Sequence, residues 1–461
     1  MTQTLAPLSP PESETGPVTL RHRPGRWIDG WDPENTEFWE SAGRPIAARN
    51  LRWSIFTEFL GFVVWQLWSV VVVALPLAGF EYTTSQIFWL ISIPSLVGAT
   101  MRLPYSFMVP RFGGRNWTVI SALLLLIPAI GLALAVSNPD TSFGVMLLVA
   151  AFAGLGGGNF ASSMANITYF YPQKEKGWAL GLNAAGGNLG AAVAQFAVPI
   201  AITIGAGVAL NLPLAGWIWV PLILVAAIGA YFRMDNLSAA KADFSASLAV
   251  IREPQLWVLS FLYIGTFGSF IGFASVFPKL LADLFPGIGG IPIGSATVGL
   301  AFMGALVGSV ARPFGGLLAD RFGGAIVTVG AFVAMAGGIL VLIITLPGQS
   351  FAVFLGVFLF LFIAAGIGNG STYKMIPAAF AISARGDDMA VQRKAAAALG
   401  IISAIGAYGG FIVPQVLGLS KVGTGSYVTA FTGFAAAYLV FLAVTYLVYL
   451  RPGSRYRSHG I

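Results

Sequence analysis

Twelve apolar stretches of about 20 residues recur along this chain, the first over about 54–78 and the last over about 426–450. A run of that length crosses a bilayer as a helix. Inside lipid, every backbone N–H and C=O must be satisfied within a helix or a closed barrel. The runs are continuous rather than alternating, which excludes barrel strands. The expected fold is an all-α membrane protein with 12 transmembrane helices. Composition agrees. Of 461 residues, 57% are hydrophobic and 9% charged, against about 25% charged in a soluble domain.

The same composition removes whole classes of chemistry. There is no Cys, and the only two His, His22 and His459, sit in the polar ends. Thiolate nucleophiles, cysteine or histidine metal sites and His-based triads are excluded. No metal, no cofactor and no enzymatic activity are expected. The basic excess lies in short loops and tails, so the lipid bilayer is the expected surroundings and nucleic acid is not an expected partner.

Residues 1–26 are rich in Pro, Ser, Thr and Glu and read as disordered, with no apolar core of a signal peptide. Residues 27–50 mix Trp27, Trp31, Phe38 and Trp39 with Arg44 and Arg49, which fits a segment lying on the membrane surface or a plain linker. The chain divides into a cytoplasmic N-terminal segment 1–50, a six-helix bundle 51–232, a polar link 233–254, a second six-helix bundle 255–450 and a tail 451–461. Lys and Arg concentrate in the N-terminal segment, the even-numbered loops and the tail, including Lys241 and Arg385, while Lys279 and Lys421 fall on the other side. By the positive-inside rule both termini are cytoplasmic in an inner, multi-pass membrane location.

Half of the chain repeats the other half. Arg102 precedes Arg111 of RFGGR by nine residues, and Arg312 precedes Arg321 of RFGG by nine, at an offset of 210. GLGGGNFASSM (154–164) matches GIGNGSTYKMI (366–376), and ALGLNAAGGNLG (179–190) matches ALGIISAIGAYGG (398–410). The expected architecture is two pseudo-symmetric six-helix bundles with substrate at their interface. GGLLADRFGG (315–324) fits the G-x-x-x-D-R-x-G loop of the major facilitator superfamily, which makes Arg111, Asp320 and Arg321 candidate cytoplasmic gating residues.

Three cations, Arg102, Arg312 and Lys374, fall inside predicted spans. An ionised Arg at the bilayer centre costs about 2.5–3.5 kcal/mol on insertion scales, so it needs a cavity and a partner. Glu58 reads as the start of the first span, Asp283 as the end of the seventh and Asp320 as a loop residue, which leaves no acid in mid-span. Arg102 and Arg312 therefore read as two halves of an anion clamp whose planar forks suit a planar oxyanion. Lys374 has two readings, a third substrate cation that also carries protons, or a side chain snorkelling to the interface. Asn159, Asn183 and Asn188 either bind helices together or donate to substrate. Tyr263 and Phe267 share one helix face, as core residues would.

These strings resemble the nitrate/nitrite porters (NarK-like) of the major facilitator superfamily. GGGNFASSMANITYFYP (156–172) and GIGNGSTYKMIP (366–377) look like that family's paired signature motifs, supported by GATMRLPYSFMVPRFGGR (98–115), YIGTFGSFIGF (263–273) and W-x-P-E-x-x-x-F-W (31–39). The resemblance implies nitrate and nitrite as substrates of a secondary transporter that works as a monomer. It implies that Arg102 and Arg312 bind the anion, that Phe160, Tyr263 and Phe267 sandwich it, and that Asn188, Gly400 and Ser403 contact it. Nitrate/nitrite exchange is the expected mode. Proton–nitrate symport with Lys374 titrating is the alternative, and a nitrate sensor is a remote one.

Overall fold

The computed structural model describes residues 20–204, 210–240, 249–293, 296–383, 388–457 and 461. The expected disorder of residues 1–19, and the cations Lys241 and Arg385, lie outside the described residues, as does His459.

Twelve helices are long and apolar enough to span a membrane: α1 (Thr36–Ala74), α2 (Thr84–Ser106), α3 (Gly114–Ala135), α4 (Phe143–Phe170), α5 (Gln173–Ala201), α6 (Leu214–Arg233), α7 (Pro254–Leu284), α8 (Phe302–Phe322), α9 (Gly324–Gly348), α10 (Phe351–Ile382), α11 (Ala397–Thr424) and α12 (Val428–Leu450). The first six and the last six form two bundles. Their pairing is set by glycine. Gly154 of α4 lies against the Gly98 backbone of α2, and Gly366 of α10 lies against Gly308 of α8. A side chain at either position would collide with backbone, so contact this close needs Gly. Gly98 and Gly308 stand at the 210-residue offset of the two arginines. The repeat is visible again in the loops. Gly113 and Gly323 precede α3 and α9 with φ of +88° and +90°, a conformation that costs any residue with a Cβ.

The N-terminal segment differs from expectation. Residues 20–26 take a defined conformation, and 27–50 is not a loose linker but strand and helix packed on the first bundle. Strand β1 (Arg21–Arg23) pairs antiparallel with β2 (Trp27–Asp29), and β2 pairs in parallel with β3 (Asn236–Leu237), the start of the link between bundles. Trp31 packs edge-on against Phe38 and Phe170, and Trp39 against Tyr171. Asp235 is the hub. It accepts from Arg26 and Arg49, each at 2.7 Å, and from Asn50 Nδ2 at 2.9 Å. Burial of the aromatics offsets the entropy of ordering the segment. The chain is thus folded onto the α4–α5 end of the first bundle, and it enters α1 at Thr36, well before the predicted 54.

That early start moves Glu58. It lies near the centre of the helix Arg44–Ala74 rather than at its beginning, and is fully buried. The absence of acids from mid-span therefore does not hold.

Side-chain hydrogen bonds between the bundles lie, among the described residues, at or beyond the level of Arg102 on the side away from the termini. Gln195 Nε2 donates to the Ala274 carbonyl at 2.7 Å and Gln415 Nε2 to Ser92 at 2.6 Å. Gln66 meets Ser275 at 3.2 Å and Thr100 meets Tyr408 at 2.9 Å. Phe88 packs against Tyr427, and Phe196 against Phe302. The bundles are closed against each other on that side.

Candidate functional site

Arg102 and Arg312 enter the interface from α2 and α8, each followed closely by a helix proline, Pro104 and Pro313. Both are buried, Arg102 completely. They converge on one ring. The guanidinium carbon of Arg102 lies 4.5 Å from the centre of Phe160, and that of Arg312 lies 5.7 Å from the same centre. Arg102 also faces Phe267 at 4.9 Å and Trp65 at 5.5 Å, and Arg312 faces Tyr373 at 5.5 Å. Aromatic faces attract cations, and more so where water is excluded.

Hydrogen bonds hold Arg102 only in part. Its Nε donates to the Gly157 carbonyl at 3.2 Å and its Nη1 to the Ser403 carbonyl at 2.9 Å. Its Nη2, and Nη1 of Arg312, have no hydrogen-bond partner among the described residues. The same is true of the Tyr263 hydroxyl and of both amide atoms of Asn159, Asn188 and Asn369. Buried polar groups are nearly always paired. The unpaired guanidinium nitrogens of Arg102 and Arg312, which converge on Phe160, suit a small anion that accepts from both at once.

The aromatic wall is built by α4 and α7. Phe160 and Phe267 stack at 6.3 Å, and Phe267 stacks on Tyr263 at 5.4 Å with 17° between planes. Between Tyr263 and Ser269 the helix widens into a π turn, Ile264–Gly268. Such turns add a residue to one winding and re-aim the side chains beside it.

Of the residues singled out in the sequence, Arg102, Arg312, Phe160, Tyr263 and Phe267 are brought together. Asn159 and Asn188 are buried within the fourth and fifth helices. Ser403 meets Arg102 through its backbone, while its hydroxyl donates to the Gly400 carbonyl at 2.9 Å. Gly400 packs toward Ser106. Asn183 is a helix-binding residue, since its Nδ2 donates to Glu58 and Ser163 at 2.6 Å each. Lys374 is not with the arginines. Its ammonium donates to both Asp320 oxygens at 2.8 and 2.9 Å, and its side chain is 46% exposed. Asp320 stands eight residues past Arg312 on α8, about 12 Å toward the termini. That placement, paired with Asp320 and apart from the arginines, gives no support to Lys374 as a third substrate cation. Arg111 and Arg321 lie over Phe112 and Phe322. Trp65, Tyr373, Asn369 and Glu58 were missed. Asn369 carried a signal, since it stands inside the repeated glycine run, whereas Trp65 and Tyr373 read as ordinary core aromatics.

Known proteins resemble this chain over most of its length. Residues 57–414 match the family model described as Major Facilitator Superfamily. The chain is 45% identical to the nitrate/nitrite transporter NarU of Salmonella typhimurium, covering 92% of this chain and 96% of that one. It is 43% identical to NarU of Escherichia coli, over 91% and 96%. It is 34% identical to a probable nitrate/nitrite antiporter, NarK2 of Thermus thermophilus, over 94% and 99%. A bacterial homologue of the human lysosomal transporter Spinster, in an inward-facing and occupied conformation, superposes with a TM-score of 0.63 at 17% identity, covering 87% of this chain and 97% of that one. That last likeness concerns the fold alone. This chain belongs to the NarK-like nitrate/nitrite porters of the Major Facilitator Superfamily, which are transporters and not enzymes.

Proposed function

We propose that this protein carries nitrate and nitrite across the inner membrane, with both termini in the cytoplasm, by alternating access and exchange of one anion for the other. The observation that carries the reading is the convergence of two repeat-related arginines, one from each bundle, on the ring of Phe160 with guanidinium nitrogens unpaired. A flat monoanion accepting from both forks would lie against the Phe160, Phe267 and Tyr263 rings. A tetrahedral anion would fit this aromatic slot poorly.

Exchange follows from electrostatics. Both guanidinium carbons lie within 5.7 Å of one ring centre. At a separation on the order of 10 Å and an effective dielectric near 20, two unit charges repel by about 1.7 kcal/mol. An anion between them turns that repulsion into attraction and favours closure of the two bundles around it. The loaded carrier therefore reorients more readily than the empty one. Nitrate entering against nitrite leaving moves no net charge.

The relatives named as nitrate/nitrite transporters and as a nitrate/nitrite antiporter support the substrate assignment. The test is nitrate uptake into proteoliposomes preloaded with nitrite, against empty ones. Uptake at least tenfold faster with internal nitrite is expected, and competition by sulfate as strong as by nitrite would sink the planar-anion reading.

A further inference from the structure

Glu58 is a buried acid that the exchange scheme leaves without a role. It sits on α1 one turn before Phe62, and Phe62 packs edge-on against Phe160 at 6.3 Å. Residues four apart share a helix face. Glu58 therefore lies on the face of α1 that packs toward the ring on which both arginines converge, one turn nearer the termini than Phe62. Gly187, next to Asn188, packs against its carboxyl group.

Its bonding is incomplete. Asn183 donates to Oε2 at 2.6 Å, and Oε1 has no partner among the described residues. No ion pair among the described residues includes it. A carboxylate out of water without a paired cation is costly, and a bound proton removes that cost. The charged and titratable groups of the bundle interface whose fields reach it are Arg102 from α2, Arg312 from α8 and Tyr373 from α10. The two arginines reward an ionised Glu58 when no anion is present. Once an anion occupies the forks, it neutralises them and repels the carboxylate.

We propose that Glu58 is a proton-binding site linked to the anion site: anion binding at the two arginines and proton binding at Glu58 favour each other, so a Glu58 that is ionised before the anion arrives takes up a proton as it binds. The inference rests on the anion-clamp reading of Arg102 and Arg312. Polar side chains continue from Glu58 toward the termini. Asn183 also donates to Ser163, and Ser163 bonds Ser54 at 2.9 Å, one helical turn before Glu58 toward the termini. Each anion would then travel with a proton. Exchange stays proton-neutral, and a pH gradient gains a means of driving net uptake.

The test is isothermal calorimetry of nitrate binding to the purified wild-type protein, across neutral to alkaline pH and in two buffers of different ionisation heat. Wild type should take up close to one proton per nitrate where Glu58 starts ionised, and its affinity should fall by up to about tenfold per pH unit there. Glu58→Gln, which keeps the shape of the protonated group, should bind nitrate with affinity independent of pH. Nitrate binding to wild type with constant affinity and no proton uptake would overturn the inference and leave the clamp standing. A pH dependence that persists in Glu58→Gln would place the proton elsewhere and overturn it equally. Failure to bind nitrate at any pH would overturn the clamp itself and this inference with it. Where Glu58→Gln fails to fold, Glu58→Leu, likewise unable to ionise, takes its place, and the wild-type measurement alone can still overturn the inference.

Discussion

Arg102 of the first bundle donates from Nη1 to the backbone carbonyl of Ser403 in the second, at 2.9 Å. A residue expected to hold the substrate thus also bonds the two bundles together. Because the acceptor is a backbone oxygen, substitution of the Ser403 side chain cannot remove the bond. Under the proposed clamp, an anion drawing on the same guanidinium would act at the joint between the bundles, where a load must be sensed if it is to control closure.

Replacing either arginine with Lys keeps the charge and discards the planar fork. A charge-assisted hydrogen bond contributes about 1.5–3 kcal/mol, so Arg102→Lys and Arg312→Lys should each weaken nitrate binding by tenfold or more. Arg102→Lys should cost more, because it also loses the Gly157 and Ser403 bonds. Calorimetry on protein that elutes as folded in detergent checks both, and wild-type affinity in either variant would contradict the clamp.

Lys374 should be dispensable for the anion. Its partner is Asp320, and a half-exposed pair is worth about 0–1 kcal/mol. Nitrate affinity and exchange rate in Lys374→Gln should stay within about twofold of wild type. A loss of tenfold or more would return Lys374 to the binding site.

The closed side should open when its fasteners go. Gln66 and Gln195 each bond the opposite bundle within the interior. At about 0.5–1.5 kcal/mol per hydrogen bond, Gln66→Ala with Gln195→Ala should shift the balance of conformations by roughly tenfold. The chain has no Cys, so Ser95→Cys, buried against Gly410 at this closed face, gives a clean reporter. Thiol labelling from the side away from the termini should rise in the double variant, and unchanged labelling would mean that other contacts hold the closure.

The Asp235 hub should fasten the N-terminal segment. Asp235→Asn removes the charge that Arg26 and Arg49 share. Those arginines are about a third exposed, so screening limits the loss to about 1–3 kcal/mol. Limited proteolysis should cut between Arg21 and Arg49 faster than in wild type, while nitrate affinity stays unchanged.

The sequence by itself determined the twelve spans, the two-fold repeat and the two arginines. Each of these is written in local terms. Span length is set by bilayer thickness, the repeat by matched strings, and the arginines by their rarity in apolar runs. The aromatic wall needed the family resemblance, since nothing in the pattern around Tyr263 or Phe160 separates a binding ring from a core ring. Only the tertiary structure decided which polar residues meet. Lys374 lies inside an apolar run yet reaches back to Asp320, because a long flexible side chain on a helix can turn toward water. Glu58 read as a border residue because hydropathy falls over residues 44–53, although the helix continues through them, held by Asp235 from the far end of the bundle. Burial and partnership join residues well over a hundred positions apart, and no local pattern in a chain records them.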